Sequence, residues 1–131
     1  MFSKKIFKIA YAISIAEGWF NPSALEGHVV GSASYRNHNP GNLKTSIFEI
    51  DNTGDFSIFE NDLVGYIALV HQLYLYASDK TNFFPAGSTL YDAICVYNGT
   101  DRGSVEAENY ISIIEKVAGV SRNDSIESIL N

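Results

Sequence analysis

Hydrophobic positions at the start of the chain recur with a helical period. Ile6, Ile9, Ala10, Ile13 and Ala16 stand three and four residues apart, the spacing of one helix face. The pattern predicts a helix from about Ser3 to Glu17, with Ser3 as its N-cap and Gly18 as its stop. A longer apolar stripe, Leu63, Tyr66, Ile67, Val70, Leu73, Tyr74 and Ala77, predicts a helix that Asn61 or Asp62 caps and that ends near Ala77. This is the cleanest amphipathic pattern in the chain, and we read it as the central buried helix. Gly65 inside it weakens helix propensity, which is tolerable where another backbone packs closely.

Two further helices follow. Thr89 and Asp92 form a capping-box start for the stripe Leu90, Ala93, Ile94 and Tyr97, which ends at Asn98-Gly99. Ser104 opens a helix through Ala118 with an expected inner face of Tyr110, Ile113, Ile114 and Val117, terminated by Gly119. Asp124 to Leu130 can add a last short helix. Between the first two helices the pattern changes. Asn21-Pro22-Ser23 predicts a turn, Ser23 to Glu26 a short helical piece, and Gly27 to Ser34 a loop. Thr45–Ile50 and Asp55–Phe59 alternate as two short strands around the turn Asp51-Asn52-Thr53-Gly54. Asn82–Ser88 reads as a loop. Residues 1–131 carry no repeat or low-complexity tract, so the expectation is a single α+β domain, mostly helical, with a small β-hairpin.

Composition adds limits. Hydrophobic residues at 46% and charged residues at 18% argue for a folded chain rather than a disordered one. A net charge of −6 argues against a nucleic-acid-backbone binder, which needs clustered cations. One cysteine, Cys95, excludes an internal disulfide and reads as a buried thiol. His28, His38 and His71 lack metal-ligand spacing, so neither a metal nor a cofactor is expected. No apolar run reaches membrane-spanning length. Lys4, Lys5 and Lys8 ahead of an apolar segment imitate a signal peptide, but those apolar residues also fit a helix face, and we read a folded helix.

Candidate chemistry starts at Ala16-Glu17-Gly18-Trp19. Glu17 lies four residues beyond Ile13, on or beside the inward stripe, where lost hydration raises a carboxyl pKa. An acid that holds its proton near neutral pH is what a glycosidic leaving oxygen requires; the alternative is a solvated helix-end carboxylate. The stretch Tyr35-Arg36-Asn37-His38-Asn39-Pro40-Gly41-Asn42-Leu43-Lys44 is too rich in Asn, Pro and Gly for a regular element. Its amides can brace the loop or meet sugar hydroxyl and acetamido groups, and composition alone favours bracing. The hairpin carboxylates Glu49, Asp51 and Asp55 are expected to be solvated.

Three ordered blocks resemble the lysozyme-like superfamily, in its goose-type lysozyme and lytic transglycosylase branch, and are similar to small phage and prophage proteins of that branch. They are the apolar helix ending Ala16-Glu17-Gly18-Trp19; the Asn-Pro-Gly-Asn-Leu loop, continued by Phe56–Phe59 and Gly65-Tyr66-x-Ala68-Leu69; and Ala93-x-x-Val96-Tyr97-Asn98-Gly99 with the later Asn109-Tyr110-Ile111. The resemblance spans about Ile6 to Val120. It departs from the usual pattern at His38, which stands where the loop normally has Asn.

The resemblance implies a lysozyme-like fold and cleavage of the β-1,4 bond between N-acetylmuramic acid and N-acetylglucosamine. Glu17 is then the general acid, as in the lysozyme pattern. Arg36, Asn37, Asn39 and Asn42 line one wall of the groove, and Tyr97 and Asn98 approach from the other. Asp51 and Asp55 are the candidates for a second carboxylate. None stands at a motif position, which favours a single-acid transglycosylase over a hydrolase. The implied partner is peptidoglycan, met by a monomer at the bacterial cell wall or periplasm, released at lysis or carried in a virion. A catalytically silent virion component or sugar-binding protein of the same fold is the alternative. An ordinary helical interaction domain leaves the Asn-rich loop unexplained.

Overall fold

The computed structural model describes residues 2–19, 33–78 and 84–131. The expected turn at Asn21-Pro22-Ser23, the helical piece at Ser23–Glu26, most of the Gly27–Ser34 loop and the first part of Asn82–Ser88 lie outside the described residues. Five α-helices and one small antiparallel pair are present among them: α1 (Lys4–Ala16), α2 (Ala33–Arg36), β1 (Asp51–Asn52), β2 (Ser57–Ile58), α3 (Asp62–Ala77), α4 (Leu90–Asn98) and α5 (Val105–Ala118). A 3₁₀ helix, Ile126–Leu130, ends the chain. The chain is thus mostly helical with a minor β component, and no described helix is long and apolar enough to cross a membrane. It divides into two compact units, 1–12 with 72–131, and 13–71.

In the first unit, Ser3 begins α1 as its spacing predicts. Its hydroxyl accepts from the Ile6 N–H at 3.2 Å and donates to the Ile129 carbonyl at 2.5 Å. Thr89 and Asp92 close the expected capping box on α4: the Thr89 N–H donates to Asp92 Oδ2 at 2.8 Å, and Thr89 Oγ1 accepts from the Asp92 N–H at 3.3 Å. Ser104 caps α5, and Gly119, at φ 67°, ends it with an N–H donated to the Glu115 carbonyl. The chain after α5 returns to α4: Leu90 N–H bonds the Asp124 carbonyl at 2.8 Å, and Ile126 N–H bonds the Ser88 carbonyl at 3.1 Å.

The α5 face is rotated from the predicted one. Ala107, Ile111, Ile114 and Ala118 are buried, whereas Tyr110 and Ile113 are half-buried and Val117 is exposed. A polar network accounts for the rotation. Arg122 donates to both carboxylate oxygens of Glu108, at 2.7 and 2.9 Å, and to Glu115 Oε1 at 2.9 Å. Glu108 and Glu115 are seven residues apart and therefore share one side of α5, which the Arg122 fork fixes against the returning chain. Tyr91 is buried; its hydroxyl donates to Glu108 and accepts from the Gly103 N–H, and the Arg102 and Arg122 guanidiniums lie over its ring, 5.2 and 5.3 Å from its centroid. Cys95 is buried, which pushes its thiol pKa up.

The second unit contains the end of α1, α2, the Asn-rich loop, the strand pair and α3 as far as His71. Asn61 rather than Asp62 caps α3, accepting from the Val64 N–H at 3.0 Å. The α3 stripe holds in its second half, where Val70, Leu73 and Ala77 are buried together with Ala68 and Leu69, but fails at its start, where Leu63 is 70% and Ile67 43% exposed. Gly65 is the reason. It is buried, and a Cβ there would lie 1.9 Å from the His38 carbonyl oxygen and 2.9 Å from Pro40 Cδ. The close backbone approach turns Gly65 inward and carries Leu63 and Ile67 out.

The hairpin is also shorter than the alternation predicts. Only Asp51↔Ile58 and Asn52↔Ser57 pair, and Thr45–Ile50 is not a strand. Glu49 draws that segment into a turn, because its Oε1 accepts from the Ser46 N–H at 3.1 Å, the Asn52 amide at 3.3 Å and the Ser57 hydroxyl at 2.7 Å. These bonds, the Ser57 one foremost, hold its carboxyl pKa below the ordinary value. Glu49 is therefore a bonded anchor and not a solvated tip.

Glu108 is held below the ordinary Glu value of 4.5 first by the Tyr91 hydroxyl and then by Arg122, and Glu115 is held below it by Arg122. Carboxyls lowered on folding stabilise the protein fully above the unfolded value, and that contribution disappears as pH falls through the folded values. Thermal melts followed by circular dichroism are expected to hold steady from pH 7 to about 5 and to drop below about pH 4.5. Arg122→Ala is expected to lower the neutral-pH melting temperature and to flatten the acid drop. An equally steep drop in the variant removes this network as its cause.

Candidate functional site

The end of α1 is built by backbone geometry. Gly18 takes φ 79°, its N–H donates to the Ile15 carbonyl at 3.1 Å, and the Trp19 N–H reaches back to the Ser14 carbonyl at 3.0 Å. This pair of bonds is a Schellman motif, with Gly18 as the left-handed residue just past the helix. Glu17 is consequently the C-cap, half-buried, with its N–H still bonded to the Ile13 carbonyl at 2.9 Å. Glycine at 18 is required because other residues are strained at that φ.

Two contacts attach the next described segment to this corner. The Ser34 hydroxyl donates to the Glu17 carbonyl at 3.3 Å, and the Trp19 and Tyr35 rings meet at 6.0 Å, tilted by 53°. Ser14, fully buried one turn earlier, shares a 3.1 Å hydrogen bond with the Tyr66 hydroxyl of α3.

The Asn-rich loop then divides its amides between two tasks. Asn39 is 0% exposed, and its Nδ2 donates to the Leu43 carbonyl at 2.9 Å and the Ser57 carbonyl at 3.0 Å, while its Oδ1 accepts from the Leu43 N–H at 2.9 Å. Both amide hydrogens are used inside the protein. The implied role of Asn39 in the groove wall is therefore corrected: Asn39 is a buried brace with no surface for a sugar. Asn42 differs. It sits at φ 50°, a conformation that Asn tolerates, and its Nδ2 donates to Glu17 Oε1 at 3.4 Å. Its Oδ1 is buried with no hydrogen-bond partner.

The remaining expected site residues spread out. Arg36 is exposed and Asn37 half-buried, and the Asn37 carbonyl accepts from the Phe59 N–H at 3.0 Å. Asp51 and Asp55 are exposed on the hairpin; Asp51 accepts from the Asn52 N–H at 2.8 Å, and no hydrogen bond links either carboxylate to Glu17 among the described residues. Tyr97 and Asn98 belong to the other unit, at the end of α4. There Asn98 Oδ1 accepts from the Thr100 hydroxyl at 2.5 Å and the Thr100 N–H at 3.2 Å.

His38 is a further feature of this unit. It occupies φ 51°, unusual for a non-glycine residue, and its Nδ1 lies 2.6 Å from Asp62 Oδ1. Tyr35, Arg36, His38 and Asp62 line a cavity of about 390 Å³. The signal was present in the chain, since His is one of the few residues enriched in this backbone region, but its partner is 24 residues away. His71, expected at the edge of the α3 stripe, is half-buried with Phe48 edge-on at 5.4 Å.

No family model, curated protein or solved structure matches this chain.

Two substitutions separate bracing from chemistry in this unit. Asn39→Ala removes the Asn39 bonds to the buried Leu43 N–H and Ser57 carbonyl and one of two bonds to the Leu43 carbonyl, and is expected to destabilise by about 2 kcal/mol, read as a shifted urea midpoint. Gly65→Ala forces a Cβ into the His38 carbonyl and is expected to cost about 2 kcal/mol or more by the same measurement. An unchanged midpoint in either variant shows that the loop tolerates loss of that contact.

Proposed function

We propose that this chain is a lysozyme-like enzyme that cleaves the glycan strands of peptidoglycan, with Glu17 as its acid and base. The observation that carries the reading is the Asn42 amide on the carboxyl group of a half-buried helix C-cap, with the unpartnered Asn42 Oδ1 beside it. One carboxyl group is oriented by a neutral donor, while the Asn42 Oδ1 beside it is sealed from solvent. The ordered blocks of the sequence supply the substrate class, β-1,4-linked N-acetylmuramic acid and N-acetylglucosamine.

In this mechanism protonated Glu17 gives its proton to the departing glycosidic oxygen while the acetamido oxygen of the muramic residue attacks C1 from the opposite face. The resulting Glu17 carboxylate then takes the proton of the C6 hydroxyl as O6 closes on C1, and the product is a 1,6-anhydro end. The negative end of the α1 dipole disfavours an ionised group at the C-cap, which suits an acid that begins the cycle protonated. A hydrolase instead needs a second carboxylate across the sugar ring.

The test is digestion of purified sacculi, with products resolved by mass. Anhydro-muramic ends are expected, and reducing ends would reassign the protein as a hydrolase. Glu17→Gln is expected to lower turnover by at least about a hundredfold with an unchanged melting temperature. Substantial residual turnover would remove Glu17 from the chemistry. No release by the wild-type protein across pH 4 to 8 would leave a silent sugar-binding or virion protein as the reading.

A further inference from the structure

We propose that the outer face of α1, built by Lys4, Phe7 and Lys8, docks this chain on an anionic lipid surface. The inference draws only on the unit of residues 1–12 and 72–131 and is independent of the glycan reading.

Three of the nine cationic residues of a chain with net charge −6 fall at positions 4, 5 and 8. α1 contains no Asp or Glu to pair with them. Among the described residues no ion pair involves Lys4, Lys5 or Lys8. Their placement also opposes the α1 dipole, which favours anions in the first turn and disfavours cations there. The cluster is thus neutralised by no contact within the fold, and its charge is left for a group outside the chain.

Helical geometry separates the two sides of this segment. Ile6, Ile9 and Ala10 are fully buried, while Lys4, Phe7 and Lys8, three and four residues apart, are exposed on the other side. Phe7 leaves 50% of its surface in water between the two lysines. The backbone that carries this face is anchored. Ser3 ties the start of α1 to the Ile129 carbonyl, and Phe2 meets Phe7 edge-on at 6.2 Å and Tyr74 of α3 at 5.5 Å.

The shape and charge of the face select its partner. A helix face is convex, so two ammonium groups and a ring can reach a planar surface together, whereas a polymer strand is gripped by a groove. On a bilayer the lysine stems lie along the hydrocarbon boundary with their heads at the lipid phosphates, and the Phe7 ring enters between headgroups. The rest of the acidic chain opposes this only weakly, because charges more than about 10 Å from the surface are screened at about 0.1 M salt. Three lysines and one ring give a reversible, salt-sensitive attachment that lies on the membrane and does not cross it. A soluble anionic polymer would engage the lysines and leave the ring unused, so the contribution of Phe7 separates the two partners.

The experiment sediments the full chain with vesicles of phosphatidylcholine alone and of phosphatidylcholine mixed equally with phosphatidylglycerol. Binding to the anionic vesicles only is expected, falling at least about tenfold when salt rises from about 0.02 to about 0.3 M. Lys4→Gln with Lys8→Gln is expected to weaken partitioning by about thirtyfold, with no fall in melting temperature because cations at these positions do not stabilise α1. Phe7→Ser is expected to weaken it by about tenfold. Lys44→Gln with Lys116→Gln removes the same charge from two other exposed positions and is expected to bind as wild type does. Absence of binding to anionic vesicles, equal binding to neutral ones, equal losses in the two double variants, or full retention by Phe7→Ser would overturn the proposal.

Discussion

The Asn-rich loop of the 13–71 unit depends on the buried amide of Asn39. The amide ties Leu43 and Ser57 across a loop that has almost no regular structure, and it does so with no exposure to water. A buried polar side chain is stabilising only when its hydrogen bonds are complete, and here both donors and the carbonyl are engaged. Everything in the neighbourhood inherits its position from that brace. The Ser57 N–H returns to the Leu43 carbonyl, the Phe59 N–H reaches the Asn37 carbonyl, and the short strand pair is hung from these bonds. Asn42 is delivered to the Glu17 carboxyl group three residues after the brace.

The other unit solves a similar problem with charge. Arg122 bridges two carboxylates of α5 and lies over the ring of Tyr91, while Tyr91 joins Glu108 and the Gly103 N–H. The chain after α5 is thereby tied to α4 by side chains as well as by the backbone bonds of Leu90 and Ile126. Exposed ion pairs taken singly contribute little. This network shares one guanidinium between two carboxylates, and its aromatic member is buried, so the geometry is constrained from several sides.

Position and chemistry meet at the helix end. The Schellman motif places Glu17 at the C-cap, and the Asn loop brings one amide to it, while the His38–Asp62 pair lies against the next polar surface of the same unit. Gly65 makes the second arrangement sterically permissible. Local rules of helix termination and one close backbone approach thus account for most of the candidate site.

Helix existence, caps and stops were legible in the chain itself. Ser3, Thr89 with Asp92, Ser104, Gly18, Gly99 and Gly119 act where their local chemistry predicts, because capping depends on residues only a few positions apart. The need for a backbone close to Gly65 was legible for the same reason. Which side of α5 and of the first turns of α3 faces inward was not. Leu63, Ile67 and Val117 are apolar yet exposed, since the Gly65 approach and the Arg122 fork outweigh hydrophobic periodicity. Nor was the difference between Asn39 and Asn42, two identical side chains three residues apart. One is sealed against Leu43 and Ser57 and the other reaches Glu17. Only tertiary structure decides that, because burial and long-range partners are set by segments 18 and 25 residues away and leave no trace in a residue's own neighbourhood.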